Sequence, residues 1–344
     1  MSGPLLAVSD LRVSFATEEG VVQAVDGVSF DLHAGEMMAI VGESGCGKSV
    51  TALTVMGLSR GPNAVISGEV RLDGRDLVTL PEEDLRKVRA ERVAMVFQDP
   101  MTALNPVYKV GDQIVEEIRA HEDVSKDEAR DRAVEALRAV GIPNPERRYD
   151  HYPHEFSGGM RQRAMIALAL VLEPEVLIAD EPTTALDVTI QAQILRLLEQ
   201  LNQERGLAVI LITHDLGVVA EVADRTLVMY AGRVVEQGSL DDIFYDPQHP
   251  YTWGLLGSLT RIDQPRPRRL PSIPGAPPSL ISPPRGCHFR ARCPHEFAKC
   301  PDTPRLEARL PSSPDHLDRC WLTPEEKRAR RTVEGRIGLV AGAE

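Results

Sequence analysis

Hydrophobic spacing changes twice along the chain. Three short, continuous apolar runs, "MMAIV" (Met37 to Val41), "VLIA" (Val176 to Ala179) and "LAVILIT" (Leu207 to Thr213), read as strands buried on both faces of a parallel sheet. Between the first two, from about Asp99 to Phe156, the spacing lengthens to that of amphipathic helices. Val110, Ile114 and Ile118, then Val134, Leu137 and Val140, recur with charged residues opposite them. This predicts a helical subdomain over about residues 99–160. Beyond residue 260 neither period persists, and half of the 26 prolines lie between Pro265 and Pro314. An extended, loop-rich appendage is expected there.

At 344 residues the chain exceeds the usual size of one core. The reading places a body at 1–260 and a Pro-rich, Cys-containing extension at 261–344. Charge follows the same division: the extension carries 16 Lys/Arg against 10 Asp/Glu, a net +6, which leaves −18 for the body out of −12 overall. A basic tail can approach nucleic acid, anionic lipid or an acidic partner, or be a solvated arginine-rich surface. The longest apolar stretches, such as "AMIALALVL", are about half the roughly 18–20 residues of a membrane span, so no crossing is expected. "MSGPLLAVSDLRV" lacks the charged start, long apolar core and cleavage site of a secretory signal. The expectation is a cytosolic protein, where disulfides are disfavoured and clustered cysteines bind metal or do redox chemistry.

Chemistry gathers at the ends of the apolar runs. "GESGCGKS", Gly42 to Ser49, fits G-x-x-x-x-G-K-[ST] directly after the first. Glycines let successive backbone N–H groups turn around phosphate oxygens at a helix start; Lys48 then pairs with the β and γ phosphates and Ser49 ligates Mg²⁺. Cys46, inside this loop, reads as a small residue that fits and not as a reactive thiol. The second run delivers Asp180 to hold hydrated Mg²⁺ and Glu181 to orient or deprotonate water; an acidic pair capping the next turn is the plainer alternative. His214 closes the third run and is read as a γ-phosphate sensor. In "FSGGMRQR", Ser157, Gly158 and Gly159 begin a helix and offer either a second anion site or an ordinary cap.

Taken together, "GESGCGKS", Gln98 in "VFQDP", "FSGGMRQR", "VLIADEP", "ALD" (Ala185 to Asp187) and His214 in "ITHD" resemble, in order and approximate spacing, the ATPase subunits of ABC transporters. The resemblance implies an α/β P-loop NTPase core with an antiparallel β-subdomain and a helical subdomain, plus a small Cys-rich C-terminal extension. It implies ATP with Mg²⁺, contacted by Gly42, Ser44, Gly45, Cys46, Gly47, Lys48, Ser49 and Val50. Phe15 in "LRVSF" would stack on adenine, with a plain core phenylalanine as the alternative. Ser49 and Gln98 would ligate Mg²⁺, with Asp180 acting through water, and Glu181, His214 and Gln98 would serve hydrolysis. In such proteins two ATPase domains close head to tail, so Ser157, Gly158 and Gly159 would cover a partner's ATP and Asp187 would cross the interface. The helical subdomain would dock on coupling helices of membrane subunits. A kinase reading leaves "FSGGMRQR" without a purpose.

"YDPQHPYTWGLL" (Tyr245 to Leu256) and "IPGAPPSL" further resemble the C-terminal region of ATPase subunits from dipeptide, oligopeptide and nickel importers. That implies peptide import from the cytoplasmic face of the cell membrane. It also implies a heterodimer with a second homologous ATPase subunit, beneath two transmembrane permease subunits fed by an extracytoplasmic substrate-binding protein. Cys287, Cys293, Cys300 and Cys320 are spaced C-x5-C-x6-C-x19-C, unlike zinc ribbons or ferredoxin runs, which gives four thiolate ligands and no element. The resemblance associates such a set with a [4Fe-4S] cluster. Zinc, with His288, His295 or His316 replacing a thiolate, and unligated thiols are the alternatives. A competing function is a soluble ABC ATPase acting on nucleic acid through a metal-binding tail, which the +6 charge permits. The lack of a long coiled-coil insertion speaks against it.

Overall fold

The computed structural model describes residues 3–99, 103–184, 186–259 and 272–333. Ala185 and the Pro265 to Pro271 part of the proline-rich stretch therefore lie outside the described residues. Strands are numbered in chain order. β1 (Leu6–Thr17), β2 (Gly20–Leu32), β4 (Ala64–Leu72) and β5 (Arg75–Asp76) form an antiparallel sheet in the order β2-β1-β4-β5. A second sheet holds β3 (Met37–Val41), β6 (Val93–Val96), β7 (Val176–Asp180), β8 (Ala208–Thr213), β9 (Arg225–Tyr230), β10 (Arg233–Ser239), β11 (Glu307–Ala308) and β12 (Leu317–Asp318). Its order is β11-β12-β10-β9-β3-β8-β7-β6.

The three apolar runs are β3, β7 and β8, and every residue in them is buried. They pair in parallel at the centre of the second sheet, with β6 and β9 completing its parallel part. Both faces of this sheet are covered. Met38, Ile40, Ile178 and Ile210 pack toward the antiparallel sheet, while Met37, Leu177, Val209 and Leu211 pack toward the helices. Burying each of these large aliphatic side chains stabilises the fold by roughly 1.5–3 kcal/mol, which makes the central strands a rigid platform for their C-terminal ends.

The insert is helical, with helices Val110–His121 and Lys126–Ala139 packed against each other and against helix Gly158–Leu170. Ser125 starts the second of these, its hydroxyl accepting from the Glu128 N–H at 3.2 Å. The stripe it buries is Ala129, Ala133 and Leu137, followed by Val140; Val134 is only half-buried. Alanines allow the close approach of three helices here, so the seam follows small residues that an apolar-bulk pattern passes over.

The Cys-bearing extension continues the second sheet. β12 pairs antiparallel with β10, Glu236 opposite Asp318 and Gln237 opposite Leu317. Fully buried His316 places Nε2 2.8 Å from Glu236 Oε1, and buried Lys327 lies 2.7 Å from Asp318. Phe289 packs edge-on against Tyr230, with ring centroids 5.2 Å apart. The extension is thus fastened by pairing, buried charge and aromatic packing.

Candidate nucleotide site

Ligands in parallel α/β sheets bind beyond the C-terminal strand ends, and here the chemistry collects at four of them. β3 leads into the loop from Gly42 to Ser49. Gly47 adopts φ 106° ahead of helix Lys48–Val55, and no side chain caps that helix, so its first N–H groups stay available to an anion. Glycine is required sterically as well. A Cβ would stand 2.2 Å from the Met229 carbonyl oxygen at Gly42 and 2.4 Å from that of Ala24 at Gly47.

Within the loop, the buried Lys48 ammonium donates to the carbonyls of Gly42 at 2.7 Å and Glu43 at 3.2 Å. Gly45 has φ 77°, Ser44 lies between it and Glu43, and Val50 follows Ser49 in the helix. Cys46 is buried in the core between the sheets, and burial pushes its thiol up, so it stays protonated.

Asp180, at the end of β7, is 5 % exposed. Burial raises its pKa, the Ser49 hydrogen bond lowers it, and the neighbouring Glu181 charge raises it again. Its Oδ1 has no hydrogen-bond partner. A buried, unpartnered carboxylate oxygen beside a serine hydroxyl is a donor set that suits a hard divalent cation, and these residues fit Mg²⁺.

Glu181 collects contacts from three strand ends. Its Oε2 accepts from Gln98 Nε2 at 3.0 Å, just beyond β6, and from Thr184 Oγ1 at 2.9 Å. His214 Nδ1, just beyond β8, lies 3.4 Å from its Oε1. Glu181 holds φ 47°, a left-handed conformation costly for a residue with a Cβ, and its N–H donates to Ile212 at 2.9 Å. The backbone is bent so that this one carboxylate faces Gln98 and His214 together. Thr184 escaped the sequence reading, although its position three residues after Glu181 in a turn was a usable signal.

The remaining motif residues stand apart from this cluster. Ser157 caps helix Gly158–Leu170, accepting from the Met160 N–H at 3.3 Å, and Ser157 and Gly158 are exposed. Asp187 is exposed and caps helix Val188–Arg205 through the Ile190 N–H at 3.0 Å. The two helix starts are neighbours, since a Cβ on Gly159 would lie 2.7 Å from Ile190. Among the described residues, no hydrogen bond or ion pair joins either start to the phosphate loop. Phe15 is half-buried on β1, opposite Val22 and Ala64. Beside Gln98, exposed Phe97 and Leu58 edge a groove of about 280 Å³ floored by Met56, Met95 and Met165.

Cys287, Cys293, Cys300 and Cys320 line one cavity, together with His249 and His295, and none is disulfide-bonded. His288 instead meets the Ala231 carbonyl at 2.9 Å, and His316 belongs to the Glu236 cluster. The cavity volume is about 10 Å³, room for one water. Burial raises the Cys287 thiol and pushes Cys293 and Cys320 up to about 12. The donor chemistry fits a thiolate-bound metal group, yet among the described residues no three His, Cys, Asp or Glu side chains are arranged to hold a metal ion. Loading the site requires the thiols to separate and shed protons.

Comparison with known proteins agrees with this geometry. A family model described as ABC transporter matches residues 25–184, and one described as the C-terminal region of the oligopeptide/dipeptide transporter matches residues 235–300. The chain is 53 % identical over 330 residues to the dipeptide transport ATP-binding protein DppD of Bacillus subtilis, covering 96 % of this chain and 97 % of that protein. It is 52 % identical over 322 residues to the oligopeptide transport ATP-binding protein OppD of Salmonella typhimurium, covering 94 % and 95 %. Among solved structures it resembles the dimeric bacterial ABC transporter cassette MJ0796, with TM-score 0.61 and 30 % identity, over 68 % of this chain and 98 % of that one. The same cassette is known as a dimer bound to ADP and phosphate, at 29 % identity and TM-score 0.61.

Proposed function

The chain belongs to the ATP-binding subunits of ABC transporters, ATPases coupled to transport, and we propose that it powers the import of peptides across the cell membrane. The observation that carries the ATPase mechanism is the convergence of Gln98, Thr184 and His214 on the Glu181 carboxylate, beside the Ser49 and Asp180 pair.

Lys48 gives up the Gly42 and Glu43 carbonyls to pair with the β and γ phosphates. Ser49 and Gln98, with Asp180 through water, would hold Mg²⁺, which neutralises charge on the phosphate oxygens when bound. Glu181 orients or deprotonates the attacking water, and His214 senses the γ-phosphate from the same carboxylate. Phe15 stacks on adenine. Gly42, Ser44, Gly45, Cys46, Gly47 and Val50 line the phosphates and the helix start. Ser157, Gly158, Gly159 and Asp187 serve the ATP of a second, homologous ATPase subunit, supported by the exposure of Ser157, Gly158 and Asp187.

Among the described residues no helix is long and apolar enough to cross a membrane. The membrane path therefore falls to two permease subunits, fed by an extracytoplasmic binding protein, with this subunit peripheral on the cytoplasmic face. The apolar groove beside Gln98 takes a permease helix. We assign the four thiols to a [4Fe-4S] cluster, supported by their sharing one cavity without a disulfide. The nucleic-acid reading falls away, because residues 235–300, which include the first part of the basic extension that permitted it, match the C-terminal region of the oligopeptide/dipeptide transporter.

Glu181→Gln in the assembled transporter tests the mechanism. ATP binding is expected to persist while hydrolysis drops by about 10²–10⁴-fold. Near wild-type hydrolysis removes Glu181 from its role.

A further inference from the structure

Glu43, the second residue of the phosphate loop, has every polar group held. Its N–H donates to the Tyr251 hydroxyl at 2.9 Å, and its carbonyl accepts from Lys48 at 3.2 Å. Its carboxylate receives two guanidinium bonds from Arg292, at 2.6 and 3.0 Å. Arg292 is itself fixed. Its side chain is 5 % exposed, Nε donates to the Pro274 carbonyl at 2.9 Å, Nη2 to the Ile273 carbonyl at 3.2 Å, and Nη1 to the Tyr230 hydroxyl at 3.3 Å. The Tyr251 ring packs on Tyr230 and Phe289, with centroids 4.6 and 5.4 Å away. Two of the three anchors, Tyr251 and Arg292, thus come from the C-terminal region at 235–300 and lie outside the cassette match at 25–184.

We infer that Arg292 is a positioning residue for the phosphate loop, through which the Cys-bearing extension sets the affinity for ATP. The physical reason is charge. A carboxylate in a loop that receives a polyphosphate repels its ligand unless a cation neutralises it, and a planar guanidinium does so while fixing the orientation of the carboxylate. With Arg292 and Tyr251 in place, the Glu43 backbone is held where its carbonyl parks Lys48, and little ordering is left for ATP binding to supply. Arg292 touches no nucleotide in this account. It acts through Glu43, and the connection exists only because the extension is docked.

The inference rests on the phosphate-loop reading above, and a double-mutant cycle separates the two. In the assembled transporter, with Mg-ATP as ligand, Arg292→Gln is expected to raise KM for ATP about tenfold with kcat within about twofold. Adding Glu43→Gln, which removes the uncompensated charge 249 residues away, is expected to bring KM back to within about threefold of wild type. Arg292→Lys, which keeps the charge, is expected to lose less than Arg292→Gln. A merely structural role lowers the yield of folded complex and is not rescued from the loop. Unchanged KM in Arg292→Gln, or strictly additive losses in the double variant, overturns the inference. If Arg292→Gln fails to assemble, Arg292→Lys decides: a raised KM that Glu43→Gln brings back toward wild type supports the link, and an unchanged KM refutes it. Wild-type complex that binds no ATP would instead refute the phosphate-loop reading itself.

Discussion

At the ends of β7 and β8 polar groups keep capacity to spare: the buried Asp180 Oδ1 has no partner and the His214 side chain is 57 % exposed. Around β12 the difference is closure from solvent. Four thiols close on about 10 Å³ beneath Phe289 and Leu322, and the charged groups nearby, His316 with Glu236 and Lys327 with Asp318, are buried in ion pairs, although Asp318 Oδ2 is left without a hydrogen bond. Open, incompletely satisfied polar groups on rigid strand ends suit a ligand that must arrive, react and leave. A sealed thiol pocket would suit a group acquired once, whose binding energy would then contribute to holding the segment together. The Arg292 to Glu43 link joins the two regions, so the sealed one reaches the open one through an ion pair whose arginine side chain is 5 % exposed.

Metal content would break this comparison most sharply. Chain purified anaerobically is expected to carry about four irons and four acid-labile sulfides, and Cys293→Ser is expected to lose them. One zinc without sulfide makes the pocket a zinc site, and no metal at all makes it a packed thiol core.

A smaller effect sharpens the same contrast. Burial pushes Asp318 up to about 6, against the opposing pull of Lys327. The folded chain holds that proton more tightly than the unfolded chain does. Its contribution is therefore complete below the ordinary carboxylate value and is lost as pH rises through about 6. His316 acts with the same sign: burial lowers it, but the Glu236 hydrogen bond and charge, joined by Asp242, carry it above its ordinary value. Asp318→Asn is expected to flatten the fall of Tm between about pH 4 and pH 6 relative to wild type. Parallel Tm profiles would remove Asp318 from the network that fastens the extension.

How much of this was legible beforehand follows from distance in sequence. The phosphate loop, Asp180, Glu181 and His214 adjoin apolar runs whose solid character marks central strands, so sheet and chemistry were read from the same residues. The antiparallel sheet was reachable only through family resemblance, because β1 and β2 bury residues on a bulged, irregular pattern. Cysteine spacing announced the cluster of thiols but carries no information on whether they bind a metal or which one. Thr184 was close enough in sequence to have been found. Arg292 was not: it belongs to no motif, and its partner lies 249 residues away, brought near by the docking of the extension on β9 and β10.

The most direct measurement of the central claim is ATP-driven peptide uptake by vesicles holding the assembled transporter and its binding protein, compared between wild type and Glu181→Gln. The account predicts uptake of a labelled di- or oligopeptide with wild-type subunit and Mg-ATP, and its loss in the variant. Wild-type complex that hydrolyses ATP yet moves no peptide, or uptake that survives Glu181→Gln, would contradict it.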